Sequence, residues 1–367
     1  MQNNINILTI LSSPNLKGGT PVKVLQIVKG SKYNHFIYFY SNGCCPENYD
    51  HDYQLFNEHA VCYSGFGRNI VRQIIDLLCI VRKQKIDIVQ SYFFRGLFFV
   101  YAINVFCKRV KILYSFENGI PFDKRIKIQF ANNWLKHIDQ FVYISDFVQK
   151  SQTRFFPILS SKKGKVVFNG AEERTDNHSF DTIRNKYKLV LLCVGALTDL
   201  KNQILILKAM DIIVNKYKVM DILLNIVGYG INYELYKKYI SENRLDQNVL
   251  LNGFSDDVGS ALHNSDLYLH PAKAEGFGIA VVEAMLVGVP PILADAGGLP
   301  ELIEDGISGY LLPDNDPKPW ADRIMELYRN PQQINIIATN ARKKAIEHFS
   351  VSRFVKSIDS LYQSLIP

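Results

Sequence analysis

Glu275-Gly276-Phe277-Gly278-Ile279-Ala280-Val281-Val282-Glu283-Ala284 is the densest stretch of this chain. It follows an apolar run at 267–269 and a His270-Pro271 stop, and it leads into an apolar helix that ends near Gly288. Gly276 and Gly278 let the backbone turn sharply and approach a ligand with no Cβ in the way. A helix beginning near Gly278 offers unpaired N–H groups and the positive end of its dipole, a seat for a diphosphate. Glu283 falls just over one turn inside that helix, where a carboxylate can accept two hydroxyl hydrogen bonds, as ribose recognition requires. Glu275 lies in the loop ahead, nearer the place where a sugar would project. The plainer reading of the same residues is a glycine turn feeding a core helix whose glutamates only cap and solvate.

Outward from this stretch, short apolar runs alternate with helix-like segments. In the second half the strands fall at 189–194, 221–227, 249–251, 267–269, 291–294 and 309–312, with helices at 203–217 and 233–243 among those between them. In the first half strands are expected at 5–11, 36–40, 60–63, 86–90, 110–116 and 140–144, with a last one at 166–168 before Asn169-Gly170. Between them, 70–83 repeats apolar residues three and four apart. Strands alternating with helices imply parallel sheets covered on both faces. The polar stretch 171–186, with Glu172, Glu173, Arg174, Asp176, Asn177 and Asp181, predicts a linker. The chain is therefore α/β: two doubly wound units in series, 1–170 and 187–349. Open α/β sheets bind ligands beyond the carboxyl ends of their strands, which puts a donor ligand in a cleft between the two units.

Composition narrows the class. With 367 residues, 47% hydrophobic and 21% charged, the chain has the material for two folded cores and not for a disordered one. Residues 1–11 have no basic leader and read as a first strand. The most apolar run, 97–107, is far short of the roughly 20 residues that a membrane span needs, and reads as a buried helix. Six cysteines (Cys44, Cys45, Cys62, Cys79, Cys107, Cys193) form no CxxC, and none of the eight histidines pairs at a ligand spacing, so no metal is expected. Free thiols suit a reducing, cytoplasmic compartment. Residues 1–170 carry 22 Lys and Arg against 10 Asp and Glu, a net +12, and the remainder is −5. A basic half suits an anionic membrane surface, a lipid-phosphate acceptor or nucleic acid, unless it is only a solvated surface. With no aromatic-basic recognition motif, nucleic acid is not expected.

The 275–284 stretch resembles the E-x7-E signature of the retaining GT-B glycosyltransferases of family 4, the glycosyl transferases group 1. Gly195-Ala-Leu-Thr-Asp-Leu-Lys201-Asn202 looks like that family's GRL…K turn, and Ile226-Val-Gly228-Tyr-Gly230 is similar to its VGxG turn. Leu251-Asn-Gly253-Phe254 resembles its FxG step. Asp295-Ala-Gly297-Gly298-Leu-Pro-Glu301, Asp305-Gly306 and Gly309 resemble its GG(x)PE…DG…G block. Phe349-Ser350 and the helix after it match the family's ending. The resemblance implies a GT-B fold of two Rossmann-like domains facing each other across a cleft, with the C-terminal helix 350–367 returning to the first domain.

It further implies a nucleotide-sugar donor, UDP- or GDP-linked, in the second domain, and a glycan or lipid-linked acceptor in the first. The expected work is bacterial surface polysaccharide synthesis by a cytoplasmic protein, peripheral on the membrane, with no metal or other cofactor. Lys201 would neutralise the diphosphate, Glu283 would bind ribose, and Glu275 with Gly276, Phe277, Gly278 and Ile279 would hold the sugar and phosphate. Gly18 and Gly19 occupy the place of the family's glycine-rich loop after the first strand. Two departures stand out. Ala196 replaces an arginine, for which Arg68 or Arg95 could substitute. Asn118 stands where the family has a catalytic histidine, with Glu117 as the alternative there. The rival readings are a glycosyltransferase-like binding protein without catalysis and a sugar-nucleotide 2-epimerase of the same fold.

Overall fold

The computed structural model describes residues 5–16, 18–41, 50–119, 131–162, 164–174, 186–255 and 257–366. They form two units, one of residues 1–170 with 351–367 and the other of residues 171–350.

The first unit is built on seven parallel strands: β1 (Asn6–Leu11), β2 (Asn34–Phe39), β3 (Val61–Ser64), β4 (Ile88–Tyr92), β5 (Lys111–Phe116), β6 (Gln140–Tyr143) and β7 (Gly164–Val166). Their order is β3-β2-β1-β4-β5-β6-β7. β1, β4, β5 and β6 are buried almost throughout, as parallel strands covered by helices on both faces must be. The last strand lies two residues earlier than expected. Its pairing with β6 continues through Val167, whose amide meets the Tyr143 carbonyl at 2.8 Å. The apolar run 97–107 falls largely within helix Phe93–Phe106, with Leu97, Phe99, Val100 and Ile103 buried. No helix among the described residues is long and apolar enough to cross a membrane.

The C-terminal helix, Val351–Leu365, belongs to this first unit. Phe354, Val355, Ile358, Leu361 and Tyr362 pack into one core with Ile7, Ile27, Ile88 and Leu113. Gly30 accepts it closely, since a Cβ there would stand 3.3 Å from the Val355 side chain.

The second unit has six parallel strands: β8 (Leu189–Val194), β9 (Ile222–Val227), β10 (Val249–Leu251), β11 (Leu267–His270), β12 (Pro291–Ala294) and β13 (Tyr310–Leu312). Their order is β10-β9-β8-β11-β12-β13. The expected helix at 203–217 is an α-helix over Ile204–Asp211 that loosens into a π-turn over Ile212–Lys216.

The beginning of the expected linker is part of this unit. Ala171 bridges Ser350, and Glu173 pairs with Arg342 at 3.0 Å. Residues 175–185, with Asp176, Asn177 and Asp181, lie outside the described residues, as do Cys44, Cys45, Lys124, Arg125, Lys127 and Lys163. In each sheet the order reverses once, between β1 and β4 and between β8 and β11. The loops leaving those strands part there and open a crevice at the carboxyl edge.

Candidate functional site

In the second unit, the turn after β8 and the loop after β11 are stitched together at that crevice. Asn202, in the left-handed region at φ 59°, donates its side-chain amide to the carbonyls of Pro271 (3.1 Å) and Asp314 (2.8 Å). Gln203 holds the Ala196 carbonyl at 3.0 Å, and the Lys273 amide donates to the Leu200 carbonyl at 2.9 Å. These bonds place Lys201 so that its ammonium forms an ion pair with Glu275 Oε2. From the other side His270 Nε2 stands 3.1 Å from the same oxygen.

The protonation states follow from this geometry. Burial lowers the His270 pKa more than its hydrogen bond to Glu275 restores it, so the ring is neutral at pH 7. Facing a carboxylate, Nε2 must carry the ring proton. Nδ1 is then an acceptor, 3.4 Å from the Tyr268 hydroxyl, which also lies 3.3 Å from the Val194 carbonyl. Burial alone would raise the Glu275 carboxyl. The His270 hydrogen bond and the Lys201 charge overcome it and draw the pKa down to about 2. Gly297, at φ 64°, passes so close to the Glu275 backbone that a Cβ would sit 2.5 Å from its carbonyl oxygen. The Gly298 amide binds that same carbonyl at 2.8 Å.

The helix after this loop is Ile279–Val287, and Gly278 caps it in the left-handed region at φ 98°. Its first amides, Ile279 and Ala280, have no intrahelical acceptor and point out of the helix end. Phe277 turns its ring inward, 2% exposed and edge-on to Phe349, so its backbone is what faces the turn. Glu283 lies one turn on, with Oε1 paired to Arg174 Nη2 at 2.9 Å and its side chain 14% exposed. Burial raises its carboxyl, Arg174 opposes that, and Glu172 adds to it. A crevice of about 340 Å³ runs along the sheet face of this unit, lined among others by Asn225, Asn252, Phe254, Ser255 and Asp257.

The structure thus gathers Lys201, Glu275 and residues 276–279 where the chain leaves β8 and β11, with Glu283 one turn deeper, and none of them lines the 340 Å³ crevice. It adds His270, which the sequence presents as a strand end, and Arg174, which reads there as one charge in a polar tract. Gly18, Gly19 and Asn118 belong to the first unit. Gly18 and Gly19 begin helix Gly19–Gly30. Asn118 is exposed, and its carbonyl accepts from the Gln152 side chain at 2.7 Å. Its neighbour Glu117 is inside, bonded to Lys23 at 2.8 Å and Ser115 at 2.6 Å. Arg68 is paired with Asp76, and Arg95 lies over the Tyr40 ring.

Residues 174–344 match the family model described as glycosyl transferases group 1. An uncharacterized glycosyltransferase of Methanocaldococcus jannaschii, MJ1178, is 30% identical over 159 residues, 43% of this chain and 45% of the relative. The UDP-Gal:alpha-D-GlcNAc-diphosphoundecaprenol alpha-1,3-galactosyltransferase of Escherichia coli is 27% identical, over 50% of this chain and 47% of its own length. The matched region therefore spans about half the length of these two relatives. Among solved structures, Anabaena Alr3699/HepE in complex with UDP superposes with a TM-score of 0.83 at 20% identity, over 98% of this chain and all of the other. That likeness shows the fold, GT-B.

Proposed function

We propose that this chain, whose residues 174–344 match the glycosyl transferases group 1, moves a sugar from a nucleotide-diphosphate donor to a hydroxyl of a glycan or lipid-linked acceptor, with retention at the anomeric carbon. The observation that carries the reading is the Lys201–Glu275–His270 cluster beside the amide end of helix Ile279–Val287.

Departure of the sugar leaves negative charge on the diphosphate. The free amides of Ile279 and Ala280 and the Lys201 ammonium are in position to stabilise it without reorganising. Lys201 has three N–H donors and spends one on Glu275, so two remain for phosphate oxygens. Glu275 Oε2 is taken by Lys201 and His270, which leaves Oε1 for a hydroxyl of the transferred sugar. Glu283 keeps Oε2 for a ribose hydroxyl while Arg174 holds Oε1. The donor is read as UDP- or GDP-linked, and no resident cofactor or metal is invoked. The Escherichia coli relative is named for a UDP-Gal donor, a diphosphoundecaprenol acceptor and an alpha product, all of which agree with this reading. We assign the protein to surface polysaccharide synthesis at the cytoplasmic face of a membrane.

Thermal unfolding with UDP, GDP and their hexose conjugates tests the donor class, because a ligand of the native state raises its apparent stability by mass action. The expected result is a shift with one nucleotide family and release of that nucleotide diphosphate on incubation. No shift with any of them removes the reading. A shift without turnover leaves a binding protein.

A further inference from the structure

We propose that His270 is the positioning residue for Glu275: it holds the carboxylate that meets the transferred sugar while the diphosphate engages Lys201, and Tyr268 sets the ring tautomer that lets it do so. The proposal deepens the transferase reading and rests on it. Tyr268 and His270 stand two residues apart on β11, so both side chains leave the same face of the strand. β11 is a central strand, hydrogen-bonded to β8 on one side and β12 on the other. Tyr268 is buried and His270 is 3% exposed, with the two rings 6.0 Å apart and only 17° from parallel.

Glu275 has two holders of different kinds. Lys201 reaches it from the turn after β8 on a flexible four-carbon stem, with its side chain 30% exposed. A diphosphate arriving there competes for that ammonium, because it carries more negative charge than one carboxylate. His270 is buried, and burial keeps its ring uncharged, so the phosphates do not compete for it. Its Nε2 lies 3.1 Å from Glu275 Oε2. Across the ring, the Tyr268 hydroxyl stands 3.4 Å from Nδ1. A hydroxyl donating to Nδ1 needs that nitrogen bare, which puts the ring proton on Nε2, aimed at the carboxylate. The other tautomer would set a lone pair against Glu275. Phe or Leu would fill a buried strand end with no polar group to satisfy. The hydrogen bond to Glu275 is what the histidine adds there.

The test uses the full chain with His270→Phe, His270→Gln and Tyr268→Phe, and UDP, GDP, UDP-glucose and GDP-mannose as probes. In His270→Phe the affinity for the nucleotide alone is expected to stay within about threefold of the parent's. Release of that nucleotide from its sugar conjugate is expected to fall about ten- to a hundredfold, the scale on which a misplaced group costs rate. His270→Gln, whose side-chain amide can donate from the place of Nε2, is expected to recover part of the loss. Tyr268→Phe is expected to lose less and to let the ring proton redistribute between the two nitrogens. Ring-nitrogen NMR of the histidine-labelled parent, with the His270 signal assigned by its absence from His270→Gln, is expected to show a neutral ring protonated on Nε2. This measurement decides the matter even where His270→Phe does not fold. A proton on Nδ1, or a folded His270→Phe that releases nucleotide within about threefold of the parent, overturns the proposal and leaves the transferase reading standing. Equal weakening of UDP and UDP-glucose binding with no rescue by Gln overturns it too, since a merely structural histidine would give that result. A parent with neither a nucleotide shift nor turnover overturns both.

Discussion

Lys201 is held by one carboxylate and offers its remaining protons to the crevice, so its removal has two separable effects. Lys201→Ala leaves Glu275 with His270 alone. The ion pair is partly exposed, at 30% and 17%, so the stability cost is expected to be only about 1 kcal/mol. Turnover is expected to fall more than tenfold, because the cation we propose for the leaving diphosphate is lost. Melting and single-turnover rates measured on the same preparation separate the two, and a rate within threefold of the parent takes Lys201 out of the site. Glu283 gives the complementary case. Glu283→Ala is expected to weaken nucleotide binding by about 1.5–3 kcal/mol. Arg174→Ala, which frees the carboxylate from its partner at 2.9 Å, is expected to weaken it less. Calorimetry with the nucleotide that shifts the melting point ranks them, and equal affinities for parent and Glu283→Ala would detach this residue from ribose.

Elements carry the next set of consequences. The cap of helix Ile279–Val287 needs glycine. At φ 98°, a Cβ on residue 278 would stand 3.2–3.3 Å from Leu299, Leu302 and Val281. Gly278→Ala is expected to cost about 1–2 kcal/mol in backbone strain, read as a lower midpoint in urea, and to turn the Ile279 and Ala280 amides away from the proposed phosphate position. On β2, His35 is 4% exposed and neither ring nitrogen has a hydrogen-bond partner among the described residues, and burial lowers its pKa to about 4. The unfolded chain takes up that proton near pH 6.5 while the folded chain resists until about 4. The neutral ring's stabilisation is therefore complete above pH 6.5 and lost as pH falls to about 4, by up to about 3 kcal/mol. His35→Leu is expected to flatten that part of the stability–pH curve, and an unchanged slope would show that His35 titrates in the fold as it does in the unfolded chain. Strands such as β8 and β9 were legible because a continuous apolar run bounded by glycine has few other uses in a parallel sheet. Lys201 and Glu275 were legible as residue types at motif positions, but their pairing joins residues 74 apart and has no local signal. The pairing of Lys23 with Glu117 joins residues 94 apart and has no local signal either.

At the scale of the whole molecule the uneven charge is the feature that reaches farthest, with +12 on residues 1–170. Part of it is spent internally: Lys111 pairs with Asp139 at 3.5 Å, and Lys162 donates to the Lys136 carbonyl at 2.6 Å. Arg82, Lys83, Lys108 and Arg109 remain exposed. Helix Ile70–Lys83, which ends in two of them, also leaves Val71 62% and Ile75 53% uncovered, one turn apart on one stripe. An apolar stripe beside basic side chains suits an anionic leaflet. Each such cation contributes about 1 kcal/mol near the surface, so four or five give weak, reversible docking. That attraction must fade as salt shortens the Debye length from about 10 Å at 0.1 M to about 3 Å at 1 M. Liposomes with anionic lipid are expected to sediment the protein at low salt and release it at high salt, and neutral liposomes are expected not to bind it. Val71→Glu/Ile75→Glu, at two mostly exposed positions, should weaken the low-salt binding while leaving donor turnover in solution intact. Binding that ignores lipid charge, or the same binding by the double glutamate variant, would return this half to the status of solvated surface and place the acceptor in solution.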